Sequence, residues 1–275
     1  MSARILTTWD AGTARRLVAE DPVANVFVGS RLDAGVLNPG APGVLWGWPG
    51  DHPSALLHSG ANLVPVVTDS EALPAFVEAV GRRRTCQSIV GPSWFALPFW
   101  RALGERWGKS YSQVREVRPR QPVMAITDSP AVPADPRVRP ITAADFDSYF
   151  AASVAMYTEE VGADPLAGGD TSYRSYCRWL VDSGRAFGIV EGGRVVFKSD
   201  IGAASGPVAQ IQGVWLDPSL RGRGLSEPAV AAVTEYVLAE YPTACLYVND
   251  FNIRAIRCYE RVGYRQSGEF ATVLF

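Results

Sequence analysis

The sequence predicts a mixed α/β protein of two units, and three observations support this fold class. In residues 137–275, strand-like and helical segments follow the order β-α-α-β-β-β-α-β-α-β-β, which is typical of a mixed α/β domain. A proline-rich connector at 131–136 divides these residues from a smaller α/β unit at 1–130. Of the 275 positions, 47% are hydrophobic, which provides for globular cores and argues against disorder.

The elements of the first unit follow from hydrophobic periodicity and turn residues. Ser70 is predicted to cap the helix that follows it. The tryptophans of this unit are interpreted as packing residues, with a ligand-stacking surface as the alternative. In order, the predicted segments are helices at 11–20 and 23–32, strands at 44–48, 55–58 and 63–67, a helix at 70–83, a strand at 87–90, a helix at 94–107, and strands at 110–117 and 122–127.

Caps and turns define the elements of the second unit. Thr142 is predicted to cap its first helix, and Gly192 and Gly193 to form a tight hairpin turn. The predicted segments are a strand at 138–141, helices at 142–157 and 172–181, strands at 186–191, 194–201 and 209–216, a helix at 225–240, a strand at 244–248, a helix at 253–262, and strands at 264–266 and 270–275.

Charge, cysteine and histidine content exclude several classes of function. The 26 basic and 28 acidic residues give a net charge of −2, so no overall field attracts nucleic acid or an anionic membrane. No apolar run has the length of a transmembrane helix or a secretory signal, and the four cysteines form no CxxC pair, so we expect a cytoplasmic protein with reduced thiols and no metal. The two histidines, His52 and His58, leave 59–275 without one, which excludes Ser-His-Asp or Cys-His catalysis within that region.

The strongest functional signal is a basic glycine loop between a predicted strand and a predicted helix. Gly222 and Gly224 permit a tight turn, Arg221 and Arg223 add charge, and the following helix offers unpaired N–H groups to an anion. No Walker lysine is present, and Glu227 stands where a dinucleotide fingerprint has its third glycine. The loop therefore predicts a pyrophosphate site, with a flexible surface turn as the alternative.

Two motifs in the second unit resemble those of the GNAT N-acetyltransferase superfamily. The family's acetyl-CoA pattern, Arg/Gln-x-x-Gly-x-Gly/Ala, matches Arg221, Gly224 and Ser226, and Ser226 departs from the usual Gly or Ala. Downstream, the pattern N-x-x-A-x-x-x-Y-x-x-x-G-F/Y matches Asn252, Ala255, Tyr259, Gly263 and Tyr264. Residues 137–275 are thus similar to a GNAT domain, and the whole chain resembles actinobacterial two-domain members.

The resemblance implies a mixed, splayed sheet flanked by helices, after a first unit that is a degenerate GNAT-like half or an unrelated fold. It implies that the strand before the loop pairs with the pantetheine arm of acetyl-CoA, that Tyr259 is the general acid, and that Asn252 contacts the co-substrate. Core packing is the alternative for Tyr259 and helix capping for Asn252. The residues implied to bind acetyl-CoA are Val214, Trp215, Leu216, Arg221, Gly222, Arg223, Gly224, Leu225, Ser226, Glu227, Asn252 and Tyr259.

The general base is left open by the resemblance. Family members often carry a Glu on the strand before the loop or on the next strand, but Gln210 and Tyr247 occupy those positions, and Gln212 can only orient a water. The candidate catalytic bases are Glu159 and Glu160, with a solvated helix end as the alternative. Further candidates are Asp200 and the terminal carboxylate of Phe275.

The leading hypothesis is acetyl-CoA-dependent acetylation of an amine of a small molecule, peptide or protein, by direct attack in a ternary complex. The alternatives are a non-catalytic acyl-CoA-binding or sensing module and an interaction protein that acts through its first unit. We expect no nucleic-acid or membrane partner and leave a homodimer open. Since 35–50 contains no Arg or Lys and the basic residues 82–84 follow a helix, whose terminal carbonyls repel phosphate, we expect one acetyl-CoA per chain.

Overall fold

The computed structural model describes residues 1–275, and its twelve strands form one continuous sheet. The strands are β1 Arg4–Ile5, β2 Val44–Trp48, β3 Ala55–Ser59, β4 Asn62–Val66, β5 Ser88–Pro92, β6 Glu116–Ile126, β7 Arg139–Pro140, β8 Ala186–Glu191, β9 Arg194–Ser205, β10 Val208–Leu216, β11 Thr243–Tyr247 and β12 Arg265–Leu274. The α-helices are α1 Ala11–Glu20, α2 Val26–Asp33, α3 Leu73–Val80, α4 Ser93–Trp107, α5 Lys109–Ser112, α6 Phe146–Val161, α7 Thr171–Asp182, α8 Ser226–Leu238 and α9 Ile253–Val262. No helix combines the length and the apolar character needed to cross a bilayer.

The predicted strand at 110–117 is wrong over its first residues, and two pairs of predicted strands each form one continuous strand. The segment predicted as a strand at 110–117 begins with the helical turn α5, where the buried Tyr111 donates a hydrogen bond from its hydroxyl to the carbonyl of Gly81 at 3.0 Å. The few apolar residues of this short segment fit a helix or a strand, and the helical turn α5 is the conformation that carries the long-range contact of Tyr111. Strand β6 then continues through 122–126, and β12 spans both predicted terminal strands, with a register shift between Gln266 and Gly268.

Each half of the chain contributes its last strand to the core of the other half. The sheet order is β1-β2-β3-β4-β5-β12-β6-β11-β10-β9-β8-β7, so β12 pairs with β5 of the first unit and β6 pairs with β11 of the second. Met124 and Ile126 of β6 lie in the core under α8 and α9, whereas Ala271 and Val273 of β12 lie in the core of the first unit. The mixed two-unit fold is confirmed, and the two units are joined through their central strands.

The two units repeat the same local plan. In each, a parallel strand pair is connected by a helix: β4 and β5 through α3, and β10 and β11 through α8. Each unit also begins with a capping box in which an aspartate accepts the backbone N–H of a threonine and pairs with an arginine of the preceding strand. The residues of the two boxes are Arg4, Thr7 and Asp10 in the first unit and Arg139, Thr142 and Asp145 in the second. This repetition supports a GNAT-like plan for the first unit.

The proline-rich connector at 131–136 is packed along the second unit. The N–H of Ala131 donates to the carbonyl of Val262 at 2.8 Å, and the N–H of Asp135 donates to the carbonyl of Pro228 at 2.9 Å. These bonds attach the connector to the end of α9 and to the first turn of α8. The division of the chain into units at 1–130 and 137–275, with a connector at 131–136, stays a prediction from the sequence. The sheet is continuous across these boundaries.

Candidate functional site

The site is organised around the point where β10 and β11 separate. The two parallel strands pair only at Val208, Ala209 and Gln210, and no pairing to β11 continues beyond Gln210. On its other side β10 pairs with β9, but the register shifts between Gln212 and Trp215. Gly213, in this interval, has φ +59°, a conformation that L side chains rarely adopt. The divergence and the bulge leave backbone N–H and C=O groups of β10 facing an open cleft.

A buried ion pair lies directly behind the bulge. Lys198 and Asp200 of β9 form a salt bridge, and the Tyr149 hydroxyl donates to the second oxygen of Asp200 at 2.7 Å. A Cβ at Gly213 would lie 3.0 Å from both Asp200 Oδ2 and Lys198 Nζ, so the pair supports the bulge from below. Burial raises the pKa of Asp200, although the positive charge of Lys198 acts to lower it. Because both of its oxygens are engaged and it is 2% exposed, Asp200 is unsuited to the role of general base.

The glycine loop closes one end of the cleft. Gly222 and Gly224 have φ +76° and +74°, and a Cβ at either would meet no atom within 4 Å, so backbone conformation rather than space favours glycine there. Helix α8 begins directly after the loop, at Ser226, and its first N–H groups have no intrahelical partners. Glu227, in its first turn, is paired with Arg261 of α9 at 2.7 Å, which neutralises the acid nearest this end. Unpaired N–H groups at a helix start can bind an anion.

The two arginines of the loop have different surroundings. Arg221 forms a bidentate pair with Glu159 at 2.6 and 2.7 Å, and its Nε donates to the carbonyl of Leu216 at 2.9 Å. Arg223 is exposed and takes part in no ion pair. The bond from Arg221 holds the pKa of Glu159 below its usual value. This pairing disfavours Glu159 as a base, because the carboxylate already holds a cation and attaches the loop to the end of α6.

Glu160 faces the cleft instead. Glu160 is exposed at the end of α6, and its charge acts on Tyr247 and Tyr259. The protein atoms around its carboxylate raise its pKa by partial desolvation, and the nearby Arg118 and Lys198 oppose this rise. Arg118, on β6, donates to the backbone carbonyl of Glu160 at 2.7 Å. Strand β6, which the first unit contributes to the second, thus holds the end of α6 over the cleft. No local pattern in the sequence identifies Arg118 as part of this site.

Tyr259 on α9 and Tyr264 just after this helix, the two tyrosines of the motif, differ in their hydrogen bonds. Tyr264 is fully buried, and its hydroxyl pairs with that of Thr234 at 2.8 Å. Tyr259 is 7% exposed, its hydroxyl makes no hydrogen bond to another protein group, and burial raises its pKa. Asn252 caps α9, where its side-chain oxygen accepts the N–H of Ala255 at 3.2 Å. The hydroxyl of Tyr259 is therefore the one left available to a ligand.

The side chains of three other candidates, Phe275, Trp215 and Gln212, are held by contacts within the protein. The ring of Phe275 packs against Tyr111 in the first unit, and its N–H donates to the carbonyl of Gln87 at 3.0 Å, so the chain terminus does not serve as a base in the cleft. The side chain of Trp215 packs with α6 and α7, which leaves its backbone as the part that can serve a ligand. Gln212 donates from Nε2 to the Tyr176 hydroxyl at 2.6 Å.

A cavity of about 490 Å³ lies beside the cleft, between the two units. The second unit contributes Gln210, Gln212 and Tyr247 to its wall, and the first unit contributes α2 and β4 together with the segment before β2. Among the residues of the wall to which the sequence gave no functional role are Phe27, Arg31, His58, Asn62, Tyr176 and Phe270. None of these belongs to a motif, because the cavity exists only where the two units meet.

Comparisons with known proteins agree with this architecture. Residues 142–264 match the family model described as Acetyltransferase (GNAT) family, and residues 43–149 match a domain of unknown function, DUF4081. No curated protein gives a significant match. A GNAT-family acetyltransferase from Colwellia psychrerythraea is 11% identical over 100% of both chains, with a TM-score of 0.58.

Two further solved structures extend the likeness to both units. A GCN5-related N-acetyltransferase from Sphaerobacter thermophilus is 16% identical over 98% of this chain and 94% of its own, with a TM-score of 0.59. A tandem GNAT protein from the clavulanic acid biosynthesis pathway is 16% identical over 98% and 97%, with a TM-score of 0.57. At these identities the likeness concerns the fold, which spans the chain from end to end in both cases.

Proposed function

We propose, from the premise that this chain is an acyltransferase with a GNAT acetyltransferase domain, that it moves an acetyl group from acetyl-CoA to an amine by direct attack in a ternary complex. The GNAT resemblance predicted from the sequence is confirmed, and acetyl-CoA is the co-substrate of that family. The observation that carries the proposal is the separation of β10 from β11, with the glycine loop at one end and Glu160 and Tyr259 beside it.

The binding part of the proposal rests on the loop and on the open edge of β10. The N–H groups at the start of α8 and the unpaired Arg223 suit a pyrophosphate, because both offer positive charge where the two glycines keep side chains away. The edge of β10 that is unpaired with β11 beyond Gln210 suits the amide groups of a pantetheine arm. Bound here, acetyl-CoA supplies the thioester that is broken in the reaction.

The catalytic part assigns one proton movement to each of two side chains. Glu160 takes a proton from the acceptor amine, and its raised pKa makes it a stronger base than an ordinary glutamate. The Tyr259 hydroxyl donates a proton to the leaving thiolate: it has no protein hydrogen-bond partner, and it stays protonated because burial raises its pKa. A backbone N–H of β10 at the bulge polarises the thioester carbonyl. Glu159, predicted as an alternative base, is assigned to positioning Arg221 instead.

The cavity between the units is proposed as the acceptor site. It shares Gln210, Gln212 and Tyr247 with the cleft, so an acceptor held there lies beside the proposed base. The first unit supplies the opposite wall and has no basic glycine loop of its own, since β4 is followed by Asp69 and Glu71 rather than by arginines. Its proposed role is to shape the acceptor site.

Thiol release and calorimetry test the proposal together. We expect acetyl-CoA to bind with a stoichiometry of one per chain, and free CoA to appear only when an acetylatable amine is present. Binding without release, across primary amines of small molecules and peptides, would favour the non-catalytic acyl-CoA-binding module. Absence of acetyl-CoA binding would refute the site itself.

A further inference from the structure

The wall of the acceptor cavity carries one permanent charge, and it is positive. Arg31 is the only Arg or Lys among the lining residues, and no Asp or Glu is present among them. His58 also lines the cavity, but burial lowers its pKa to about 4, so it is neutral at physiological pH. Its Nδ1 lies 3.2 Å from the carbonyl of Asn62, a bond that fixes the ring. The electrostatic character of the cavity at neutral pH is therefore set by one guanidinium.

Arg31 has no counter-ion in the protein. Its Nε is buried without a hydrogen-bond partner, and its guanidinium lies 4.8 Å from the centre of the Phe27 ring. Burial lowers its pKa, and the neighbouring Arg185 acts in the same direction. Elsewhere in the same unit, Arg15 pairs with Asp33 at 2.6 Å. A cation held partly desolvated without an acid is costly unless a ligand supplies the missing anion.

The position of Arg31 relates it to the proposed reaction centre. The positive charge of Arg31 acts on Tyr176. The Tyr176 hydroxyl accepts a hydrogen bond from Gln212, the residue of β10 next to the bulge. The cavity therefore extends from the cleft at Gln212 and Tyr247 to the guanidinium on α2. Between these ends the wall is mainly apolar, with Phe27 and Phe270 among its members. An occupant that matches both ends has an amine at the cleft, an apolar body and an anionic group at Arg31.

We infer that the acceptor is an amine that also carries a carboxylate, and that Arg31 of the first unit is the residue that recognises the carboxylate. This inference rests on the proposed function, because it names the acceptor class of the same site. A planar guanidinium with free N–H groups matches a carboxylate in two parallel hydrogen bonds. The first unit would thereby determine the specificity of a reaction carried out by the second.

Matched acceptor pairs test the inference. L-phenylalanine is compared with L-phenylalaninamide, and 6-aminohexanoate with 6-aminohexanamide, so that the carboxylate is removed at two distances from the amine. In at least one pair we expect kcat/KM for the acid to exceed that for the amide by about tenfold or more, as a charge-assisted hydrogen bond implies. The variant Arg31→Gln should remove this preference, and Arg31→Lys should keep part of it. Arg185→Gln is the matched control, since Arg185 is a neighbouring cation outside the cavity wall, and it should retain the preference.

A binding measurement without acetyl-CoA separates this inference from the proposed function. Calorimetry with 3-phenylpropionate, which has a carboxylate and no amine, should show binding to the parent and to Arg185→Gln but not to Arg31→Gln, with thermal unfolding confirming that each variant is folded. Acetylation that is indifferent to the carboxylate, or 3-phenylpropionate binding that survives Arg31→Gln, would overturn the inference and leave the acetyltransferase proposal standing. Arg31-dependent binding without CoA release from any amine would support the anion site and count against the acetyltransferase.

Discussion

Tyr259 and Tyr264 form a pair in which function and stability can be separated by removing one oxygen atom. Both rings are buried on the same side of the sheet, with centroids 6.0 Å apart. The Tyr259 hydroxyl has no protein partner, so Tyr259→Phe should leave the free energy of unfolding within about 0.5 kcal/mol of the parent value. As the proposed acid it should lower kcat by about 10²- to 10⁴-fold, or about 3–5 kcal/mol in activation free energy.

Tyr264→Phe should give the opposite result. It removes the hydrogen bond to Thr234, which is itself fully buried but keeps a second bond to the carbonyl of Val230 at 2.9 Å. The expected loss is therefore that of one net hydrogen bond, about 0.5–1.5 kcal/mol, which lowers Tm by about 1–6 °C for a chain of this size. The turnover of the folded enzyme should be unchanged.

The assay follows CoA thiol release at saturating acetyl-CoA and acceptor, alongside thermal unfolding by circular dichroism. Calorimetry should show that acetyl-CoA binds Tyr259→Phe and the parent with similar affinity. If Tyr259→Phe retains the parent's turnover, the hydroxyl is not the acid and the residue serves packing alone. Equal losses of turnover in both variants would also refute the reasoning, because they would indicate a general effect on the core.

Three further predictions concern the same site. Because Glu160 acts as the base in its deprotonated form and has a raised pKa, kcat/KM should rise with pH through a midpoint above the ordinary Glu value, and Glu160→Gln should flatten that limb, whereas an unaltered profile would exclude Glu160. Arg223→Gln should weaken acetyl-CoA binding by about 10- to 150-fold in calorimetry, and unchanged affinity would remove Arg223 from the site. The same titration of the parent should give one site per chain, and two equivalent sites would contradict the assignment of a single phosphate loop.

Features whose causes lie close together in the chain could be predicted from the sequence. The bounds of α9 match the predicted 253–262, because Asn252 caps the helix and Gly263 ends it with φ +117°. The glycine loop and the start of α8 were predicted for the same reason: positive φ and unpaired N–H groups are properties of a few consecutive residues. A further local signal was available in the spacing of the two capping boxes. Arg4, Thr7 and Asp10 are spaced as Arg139, Thr142 and Asp145 are, and this equal spacing indicates the repeated plan of the two units.

Which strands lie side by side depends on the packing of the whole chain. Alternating hydrophobicity identifies the buried face of a strand but not its neighbour, so nothing in 116–126 or 265–274 indicates that each pairs into the other unit. The consequence for the site is direct, because Arg118 reaches the carbonyl of Glu160 only through this exchange.

The roles of Glu159, Glu160 and Arg31 also depended on packing. Successive residues of a helix point about 100° apart, so one of two adjacent glutamates meets Arg221 and the other faces the cleft, and only the placement of α6 determines which. In the sequence, Arg31 of α2 belongs to no motif. It acquires meaning because the two units enclose a cavity there and leave its guanidinium without an acid, which is a property of the assembled surfaces and not of any segment.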